Sequence, residues 1–446
     1  MSRQRKVLVT SVLAAASLVA ACTGTTGQQV RADRVTTTST TSTTAPVPDC
    51  AETLPASAKA GQLLMVMVTT PDLAKEALKN GTVGGFGLKG GQPKDIGEKV
   101  AAAVKDAAIT PFVGSDEEGG TVQRLANAIK ILPSAAEMAS GGKSSKASGT
   151  KTDGSPEAAA KMMGEYAVEM KKLGFNMMFG PVADVGSGSG LGTRSFSDEP
   201  TVVASFVTAI VRAVQDAGVI AVVKHWPGIG GGKSDPHDKL SALEPIDQLR
   251  LKDILPFQEA FKAGAKGVMV AHSVVPDLTQ PNEPASISAA AITNELRGTE
   301  GFKGLVITDS LGMGAIIATT PQDEAAEKAI AAGADIALVS GADSIPKAHE
   351  RLTNAIASGR IPAGQVEASV RRVLAEKSVT GPCPDLVANM TRLEADAGTG
   401  ATSSGSSNSP GDSSSDESGT TTSGSKSTSS STPKGRDTGI NDTLAD

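Results

Sequence analysis

The chain has 446 residues, of which 39% are hydrophobic and 20% charged, and its formal net charge is -6 with a pI near 5.5. This length allows one large domain or two smaller ones, and the acidic balance argues against nucleic acid as a main partner, because phosphate binding needs a basic surface. Aromatic residues make up only 2% and cysteines number three. These values argue against a surface that stacks many sugars or bases, a disulfide-dense scaffold and a zinc site of four cysteines.

Residues 1–22 have the features of a bacterial export signal. Three basic residues precede an apolar run that is too short for a convincing membrane span, and the run ends in small residues before Cys22. This ending resembles a bacterial lipobox, in which Cys22 receives lipid and becomes the mature N-terminus; an ordinary signal peptide with an incidental cysteine is the alternative. Buried acyl chains would anchor the protein to the cell membrane, so we predict an extracytoplasmic location.

Composition separates a central folded part from two polar ends. Residues 23–49 are rich in Thr and Ser and predict a flexible linker, and residues 396–446 have too few apolar groups to offset their ordering entropy and predict a disordered tail. The folded domain is expected at residues 50–390. Cys50 and Cys383 lie at its edges, and because thiols outside the cytoplasm tend to oxidise, we predict a disulfide between them; two free thiols are the alternative.

Short apolar runs alternate with amphipathic helical stretches along the folded part. The runs cover residues 63–68, 84–88, 111–114, 176–179, 219–223, 267–271, 304–308 and 336–339, and the clearest helical stretches cover 156–173, 202–217, 247–263 and 321–332. Most runs are nearly all-apolar, as is typical of parallel strands buried on both faces. Strand–helix units of this number in one α/β domain predict a single (β/α)8 TIM-type barrel; a doubly wound open sheet is the competing interpretation.

Polar residues follow five of the predicted strands. They are Asp116, Asp184 with Arg194, Lys224 with His225, His272, and Asp309, in chain order. In a barrel these positions open onto the C-terminal rim, where active sites are built. The pattern therefore predicts a site at this rim.

A glycine-rich stretch at residues 228–234 is similar to a phosphate-binding loop. The Walker pattern needs glycine where Pro227 stands, and the dinucleotide-binding pattern needs glycine where Lys233 stands. Nucleotide binding is therefore not predicted.

Four motifs of this chain resemble those of family 3 glycoside hydrolases of the bacterial β-N-acetylhexosaminidase branch, and they occur in the same order along the sequence. Residues 224–237 read KHWPGIGGGKSDPH and resemble the family signature K-H-[FIW]-P-G-x-G-x-x-x-x-D-[ST]-H. Residues 116–124 read DEEGGTVQR, residues 192–196 read GTRSF, and residues 304–313 read GLVITDSLGM. These three resemble the family's D-[QE]-E-G-G-R-V-Q-R, its G-x-R-S-F and its nucleophile strand. The resemblance covers essentially the whole folded part.

The resemblance implies a retaining exo-β-N-acetylglucosaminidase. Retaining cleavage needs a carboxylate nucleophile on one face of the sugar and a proton donor on the other. Asp309 matches the nucleophile, and His237, held by Asp235, matches the general acid and base. The positions that bind the hydroxyls of the terminal sugar are matched by Asp116, Arg124, Arg194, Lys224 and His225.

Structural roles are the alternatives for several of these residues. Each binding residue could instead form a salt bridge that orders the rim, and for Asp184 the two interpretations are balanced. His272 could be structural or could support the site, and His349 is expected at the surface. Family positions also differ at Thr121, Ile229, Pro236 and Ser310, none of which removes a catalytic group.

The sequence therefore predicts an exported, membrane-anchored and monomeric enzyme that releases terminal GlcNAc from peptidoglycan-derived muropeptides or disaccharides. No metal or organic cofactor is implied. Three alternatives are a GlcNAc phosphorylase that uses the same site, a β-glucosidase or β-xylosidase, and a non-catalytic sugar-binding lipoprotein.

Overall fold

A computed structural model describes residues 49–141, 152–188, 190–232 and 240–379. The predicted lipidation site Cys22, the linker at 23–49 apart from its last residue, the catalytic pair Asp235 and His237, Cys383, and the tail lie outside these ranges. Cys50 is buried and disulfide-bonded, whereas its pairing with Cys383 stays a prediction.

The strands in chain order are β1 (Leu64–Val68), β2 (Gly85–Leu88), β3 (Phe112–Gly119), β4 (Val122–Gln123), β5 (Met177–Val182), β6 (Ile220–Trp226), β7 (Ser241–Ala242), β8 (Gly267–Val270), β9 (Ser273–Val274), β10 (Leu305–Thr308) and β11 (Ala337–Ser340). Parallel strands pair in the order β10-β8-β6-β5-β3-β2-β1-β11, and a bridge between Ile307 and Ile336 joins the two ends of this order. The sheet is thus a nearly closed eight-stranded barrel. The barrel and all eight predicted strands are confirmed, and the open doubly wound sheet is wrong.

The α-helices are α1 (Cys50–Thr53), α2 (Ala56–Gln62), α3 (Asp72–Lys79), α4 (Ile96–Val104), α5 (Ala135–Ser140), α6 (Pro156–Lys172), α7 (Pro200–Asp216), α8 (Ile246–Leu251), α9 (Leu255–Lys262), α10 (Gly314–Ile317), α11 (Gln322–Ala331), α12 (Ile345–Ala357) and α13 (Ala363–Glu376). The predicted helix at 247–263 is wrong in one respect, because it is divided into α8 and α9. Pro256 lacks an N–H and its ring would clash with the carbonyl of Lys252, so one helix cannot run through it. No helix within the described ranges is long and apolar enough to cross a membrane.

The barrel strands are apolar because both of their faces are covered. Every residue of β1, β5 and β6 is buried, with the barrel interior on one side and the helices on the other. β3 is longer than predicted because its end turns back into β4, and Glu117 pairs with Gln123 across this hairpin. The hairpin brings the end of the DEEGGTVQR motif back to its beginning, so that the Arg124 N–H donates to the Asp116 carbonyl at 3.2 Å.

A buried lysine lies at the end of the barrel where the strands begin. The Lys377 ammonium donates to Gln62 Oε1 at 2.7 Å and to the carbonyl oxygen of Gly84 at 2.6 Å, and it lies 4.7 Å from the centre of the Phe112 ring. Burial lowers the pKa of Lys377 to about 7. Near neutral pH this position therefore holds a lysine that releases its proton far more readily than an exposed one.

Lys377 is expected to make the protein more stable as the pH rises above 7. Its folded pKa of about 7 lies below its unfolded value, so the unfolded chain binds more protons between these two values and stability increases with pH. Between pH 7 and 9.5, the free energy of unfolding of the wild type should gain about 2–3 kcal/mol relative to Lys377→Met. Urea denaturation at both pH values measures this difference. Lys262→Met, at a side chain that is 70% exposed, is the control, and parallel pH dependences of the wild type and Lys377→Met would contradict the prediction.

Candidate active site

A buried ion network lies at the carboxyl ends of β3 and β6. The Lys224 ammonium is 2.6 Å from Asp116 Oδ1 and 2.7 Å from Glu118 Oε1. Arg194, on the loop after β5, donates to both carboxylate oxygens of Glu118 at 2.7 and 2.8 Å. The side chains of Lys224 and Glu118 are only 3% and 2% exposed. Two cations and two anions are thus brought together from three strand ends, as the barrel interpretation requires.

Mutual attraction keeps the groups of this network charged. Burial raises the pKa of Glu118, but Lys224 and Arg194 together hold it far below its usual range. Burial lowers the pKa of Lys224, and the neighbouring Asp116 and Glu118 outweigh burial and raise it. The pKa of Arg194 is also raised, because Glu118 outweighs burial. The network therefore offers fixed, charged donors and acceptors, which bind hydroxyl groups more strongly than neutral ones.

Arg124 extends the network beyond Asp116. Its Nη2 atom is 3.8 Å from Asp116 Oδ2, which places it at the edge of ion-pair distance. Of the five predicted binding residues, Asp116 thus contacts Lys224 and Arg124 directly, and Arg194 joins them through Glu118. The fifth, His225, is the neighbour of Lys224 in the chain, and its Nε2 atom is 3.4 Å from Arg194 Nη2.

Asp184 fixes the orientation of His225. The Nδ1 atom of His225 donates to Asp184 Oδ2 at 2.7 Å, and Asp184 Oδ1 accepts the backbone N–H groups of His225 at 3.3 Å and Ile229 at 2.8 Å. Because Nδ1 faces Asp184, Nε2 is the ring nitrogen that faces Arg194 and the site. Asp184 is fully buried, so its place differs from both balanced interpretations, sugar binding and a salt bridge at the rim: it positions His225 from behind.

Glycines after β6 are required by close backbone packing. A Cβ atom at Gly230 would lie 1.9 Å from the carbonyl oxygen of Val185, and one at Gly228 would lie 2.7 Å from the Cβ atom of Asp253. Gly228 also has a φ of 110°, which side chains rarely tolerate. Gly228 and Gly230 therefore let the backbone after β6 pack closely against neighbouring segments.

Asp309 begins the loop after β10. Its backbone N–H donates to the Val270 carbonyl at 2.9 Å, and its Oδ1 atom accepts the N–H of Ser310 at 2.7 Å. Burial raises the pKa of Asp309, but His225, His272 and the Ser310 N–H outweigh burial and hold its pKa below the ordinary value. Asp309 is therefore a carboxylate at neutral pH, which is the form that a nucleophile needs.

His272 supports the segment that carries Asp309. Its Nε2 atom donates to the Ser310 carbonyl at 2.8 Å, and its Nδ1 atom lies 2.7 Å from the Ser286 hydroxyl. The ring is fully buried, so His272 holds the residue next to Asp309 in place. His349 differs from expectation: it is half-buried and bonds to the Ser57 carbonyl at 2.9 Å where α12 packs on α2.

Two glutamates of the DEEGGTVQR motif were not assigned a role from the sequence. Glu118 belongs to the ion network, whereas Glu117 accepts the hydroxyl groups of Ser115 at 2.6 Å and Tyr166 at 2.7 Å. Burial raises the pKa of Glu117 to about 7. Alternation along β3 explains the difference, because successive strand residues point to opposite faces. The same alternation, applied to the sequence alone, would have predicted that Glu118 lies on the same face of β3 as Asp116.

The predicted general acid and base, Asp235 and His237, lie outside the described residues, so their roles stay predictions. Within the described ranges, no group of three or more His, Cys, Asp or Glu side chains is arranged to hold a metal ion.

Comparisons with known proteins identify the family of this chain. The family described as "Glycosyl hydrolase family 3 N terminal domain" matches residues 56–375. Beta-hexosaminidase LpqI of Mycobacterium tuberculosis is 36% identical over 401 residues, which cover 83% of this chain and 96% of the relative. A beta-hexosaminidase of Xylella fastidiosa is 35% identical over 54% of this chain and 70% of its own length.

Solved structures give the same result. A GH3 family glycosyl hydrolase from Mycobacterium smegmatis superposes with a TM-score of 0.67 at 34% identity, covering 74% of this chain and 99% of the other. A family 3 beta-N-acetylglucosaminidase from Paenibacillus sp. superposes with a TM-score of 0.66 at 29% identity, covering 76% of this chain and 68% of the other. The family resemblance found in the motifs is thereby confirmed, and the chain belongs to glycosyl hydrolase family 3.

Proposed function

We propose that this protein is an exo-acting, retaining β-N-acetylglucosaminidase that hydrolyses terminal GlcNAc residues from peptidoglycan-derived sugars. The observation that carries the proposal is Asp309, an ionised carboxylate at the end of β10 that shares the rim with the network of Lys224 and Glu118. The relatives named above as beta-hexosaminidases and as a beta-N-acetylglucosaminidase support the choice of sugar.

The first step of the reaction forms a glycosyl-enzyme. Asp309 Oδ1 accepts the Ser310 N–H, so Oδ2 is the oxygen that attacks the anomeric carbon while the bond from that carbon to the leaving oxygen breaks. His237, oriented by Asp235, gives its proton to the leaving oxygen. Asp116, Arg124, Arg194, Lys224 and His225 hold the sugar hydroxyls and fix the ring relative to Asp309.

Water completes the reaction in the second step. Neutral His237 removes a proton from a water molecule, the water oxygen attacks the anomeric carbon, and Asp309 leaves as a carboxylate. The released sugar keeps the β-configuration because the anomeric carbon is attacked twice, once from each face.

The sequence also supports a location for this reaction. Lipid on Cys22 would hold the enzyme at the outer face of the cell membrane through the linker at 23–49, next to the wall from which its substrates come. We propose that the enzyme acts there as a monomer in the turnover of peptidoglycan fragments.

The test is hydrolysis of an aryl β-N-acetylglucosaminide by the full-length protein, beside the matching aryl β-glucoside. We expect release of β-GlcNAc, seen by proton NMR before mutarotation, at a rate well above that for the glucoside. Faster cleavage of the glucoside would contradict the sugar assignment, and initial release of the α-anomer would contradict retention. Formation of GlcNAc-1-phosphate in phosphate buffer would identify a phosphorylase, and sugar binding without turnover would identify a binding protein.

A further inference from the structure

We infer that Tyr166 is a positioning residue for sugar binding. Its hydroxyl group connects both strands of the β3–β4 hairpin to α6, and this connection fixes Arg124, which is proposed to hold a hydroxyl of the terminal sugar. Tyr166 is fully buried, so it acts through Arg124 and not by contact with the substrate. The inference rests on the proposed glycosidase function and extends it to a residue behind the site.

The Tyr166 hydroxyl is the point at which the hairpin is joined to the layer of outer helices. It donates to Glu117 Oε2 on β3 at 2.7 Å and accepts from Gln123 Nε2 on β4 at 2.9 Å. Glu117 and Gln123 are also paired with each other across the hairpin, so one hydroxyl contacts both strands. The tyrosine belongs to α6, a helix of 17 residues. The hairpin is therefore held by a long helix outside the barrel sheet.

The same hydrogen bonds reach the backbone on both sides of Arg124. Glu117 Oε1 accepts the N–H of Leu125, the residue after Arg124, at 3.1 Å. Gln123, the residue before Arg124, is bonded through its side chain to Tyr166. Both chain neighbours of Arg124 are thus fixed by side chains that meet at the Tyr166 hydroxyl.

The side chain of Arg124 has few contacts of its own. Among the described residues its ion-pair contact is with Asp116, whose Oδ2 atom is 3.8 Å from Nη2, and its buried Nε atom has no hydrogen-bond partner there. Lys224, in contrast, has two carboxylates at 2.6 and 2.7 Å. A guanidinium with so few contacts takes its position from the backbone that carries it. A shift of the hairpin should therefore displace Arg124 more than Lys224.

Loss of the Tyr166 hydroxyl should consequently weaken sugar binding more than the chemical step. Arg124 is proposed to bind a hydroxyl away from the anomeric carbon, a contact that is made both before and during the reaction. Loss of such a contact raises KM and leaves kcat nearly unchanged. Asp309 follows β10, which is separated from β3 by β8, β6 and β5, so the nucleophile should keep its place.

The first experiment measures kcat and KM of full-length Tyr166→Phe with an aryl β-N-acetylglucosaminide. The change keeps the ring and removes one oxygen atom, which leaves Glu117 Oε2 and Gln123 Nε2 without this partner. We expect KM to rise about three- to tenfold while kcat changes by less than about twofold. The Ki of GlcNAc as a competitive inhibitor should rise by the same factor, because it reports binding without a chemical step.

A second variant and a matched control accompany Tyr166→Phe. Gln123→Met, at a side chain that is only partly buried, breaks the connection from the other strand and should also raise KM selectively. Thr293→Val removes a hydroxyl that donates to the Ala332 carbonyl at 2.7 Å, between the helical segment Ala290–Thr299 and the end of α11. This control should leave KM and kcat unchanged.

The second experiment repeats the substitution in the Arg124→Met background. Because Tyr166 is inferred to act through Arg124, Tyr166→Phe should change KM by less than about twofold when Arg124 is already replaced. The same increase in KM in both backgrounds would show that the two residues act independently and would overturn the inference.

Stability measurements separate positioning from a purely structural role. Urea denaturation and the emission of Trp226, the one tryptophan of the chain and a buried residue at the end of β6, show whether each variant is folded. Lower stability of Tyr166→Phe and Gln123→Met with unchanged KM would overturn the inference, as would a loss of kcat at unchanged KM. In both cases hydrolysis by the wild type leaves the proposed function intact. Absence of hydrolysis by the wild type would overturn both proposals.

Discussion

Asp309→Asn is expected to lower kcat for an aryl β-N-acetylglucosaminide by roughly 10³-fold or more. Asparagine has nearly the same shape and can still accept the Ser310 N–H, so the loop after β10 should be retained. Its amide oxygen, however, is too weak a nucleophile to form the glycosyl-enzyme. Steady-state kinetics with the full-length protein measure the loss. Asp247→Asn, at a side chain that is 82% exposed on α8, should keep the wild-type rate, and a loss of less than tenfold in Asp309→Asn would contradict the nucleophile assignment.

Azide distinguishes a nucleophile from a residue that only positions the substrate. In Asp309→Ala the removed side chain leaves space beside the anomeric carbon, and azide can attack the carbon there while the aryl alcohol leaves. The product should be the α-glycosyl azide, because a single displacement inverts the configuration. Recovery of activity with this product would support Asp309 as the attacking group. Recovery of hydrolysis without formation of the glycosyl azide would count against it. Absence of any recovered activity at high azide, with an activated aryl substrate, would also count against it.

The lowered pKa of Asp309 also constrains the pH profile. Burial raises this pKa, but His225, His272 and the Ser310 N–H outweigh burial. The nucleophile is therefore ionised throughout the neutral range, and protonation of Asp309 would limit activity only below the ordinary range of an aspartate. A decline of kcat/KM that begins near pH 5 or 6 should accordingly arise from another group.

The sequence was sufficient to predict the barrel and the position of its rim. Short all-apolar runs such as 219–223 favour strands that are covered on both faces, and a polar residue directly after such a run is then expected at a strand end. Lys224 and Asp309 were found in this way, and the motif around each agreed with its place in the fold. Local patterns of this kind need no knowledge of which strands are neighbours.

Contacts between distant segments could not be predicted in the same way. Asp184 holds His225 and Ile229, which are 41 and 45 residues later in the chain, and no periodicity links these positions. His349 bonds to the Ser57 carbonyl across 292 residues, so its half-buried place depends on how α12 packs on α2. Glu118 is an intermediate case, since alternation along β3 gives its face but not its contact with Arg194.

Lys224→Met is expected to destabilise the protein by about 3–5 kcal/mol, because one partner of a buried ion network is removed. Glu118 and Asp116 would keep their charges with only Arg194 and the more distant Arg124 to balance them. The free energy of unfolding, measured by urea denaturation at neutral pH, reports the loss. Lys262→Met, an exposed lysine on α9, should change stability by less than about 0.5 kcal/mol.

A double variant separates the charge imbalance from the loss of packing. In Lys224→Met/Glu118→Gln the cation and the anion of one close pair are removed together, so the double variant should be more stable than the sum of the two single losses by about 1–3 kcal/mol. Strict additivity would show that Lys224 and Glu118 are not energetically coupled, against the contact of 2.7 Å between them. Activity should not recover with stability, because Lys224 is also proposed to bind a sugar hydroxyl, and methionine cannot donate that bond. A stable double variant with a raised KM would therefore assign two functions to Lys224, one in the fold of the rim and one in substrate binding.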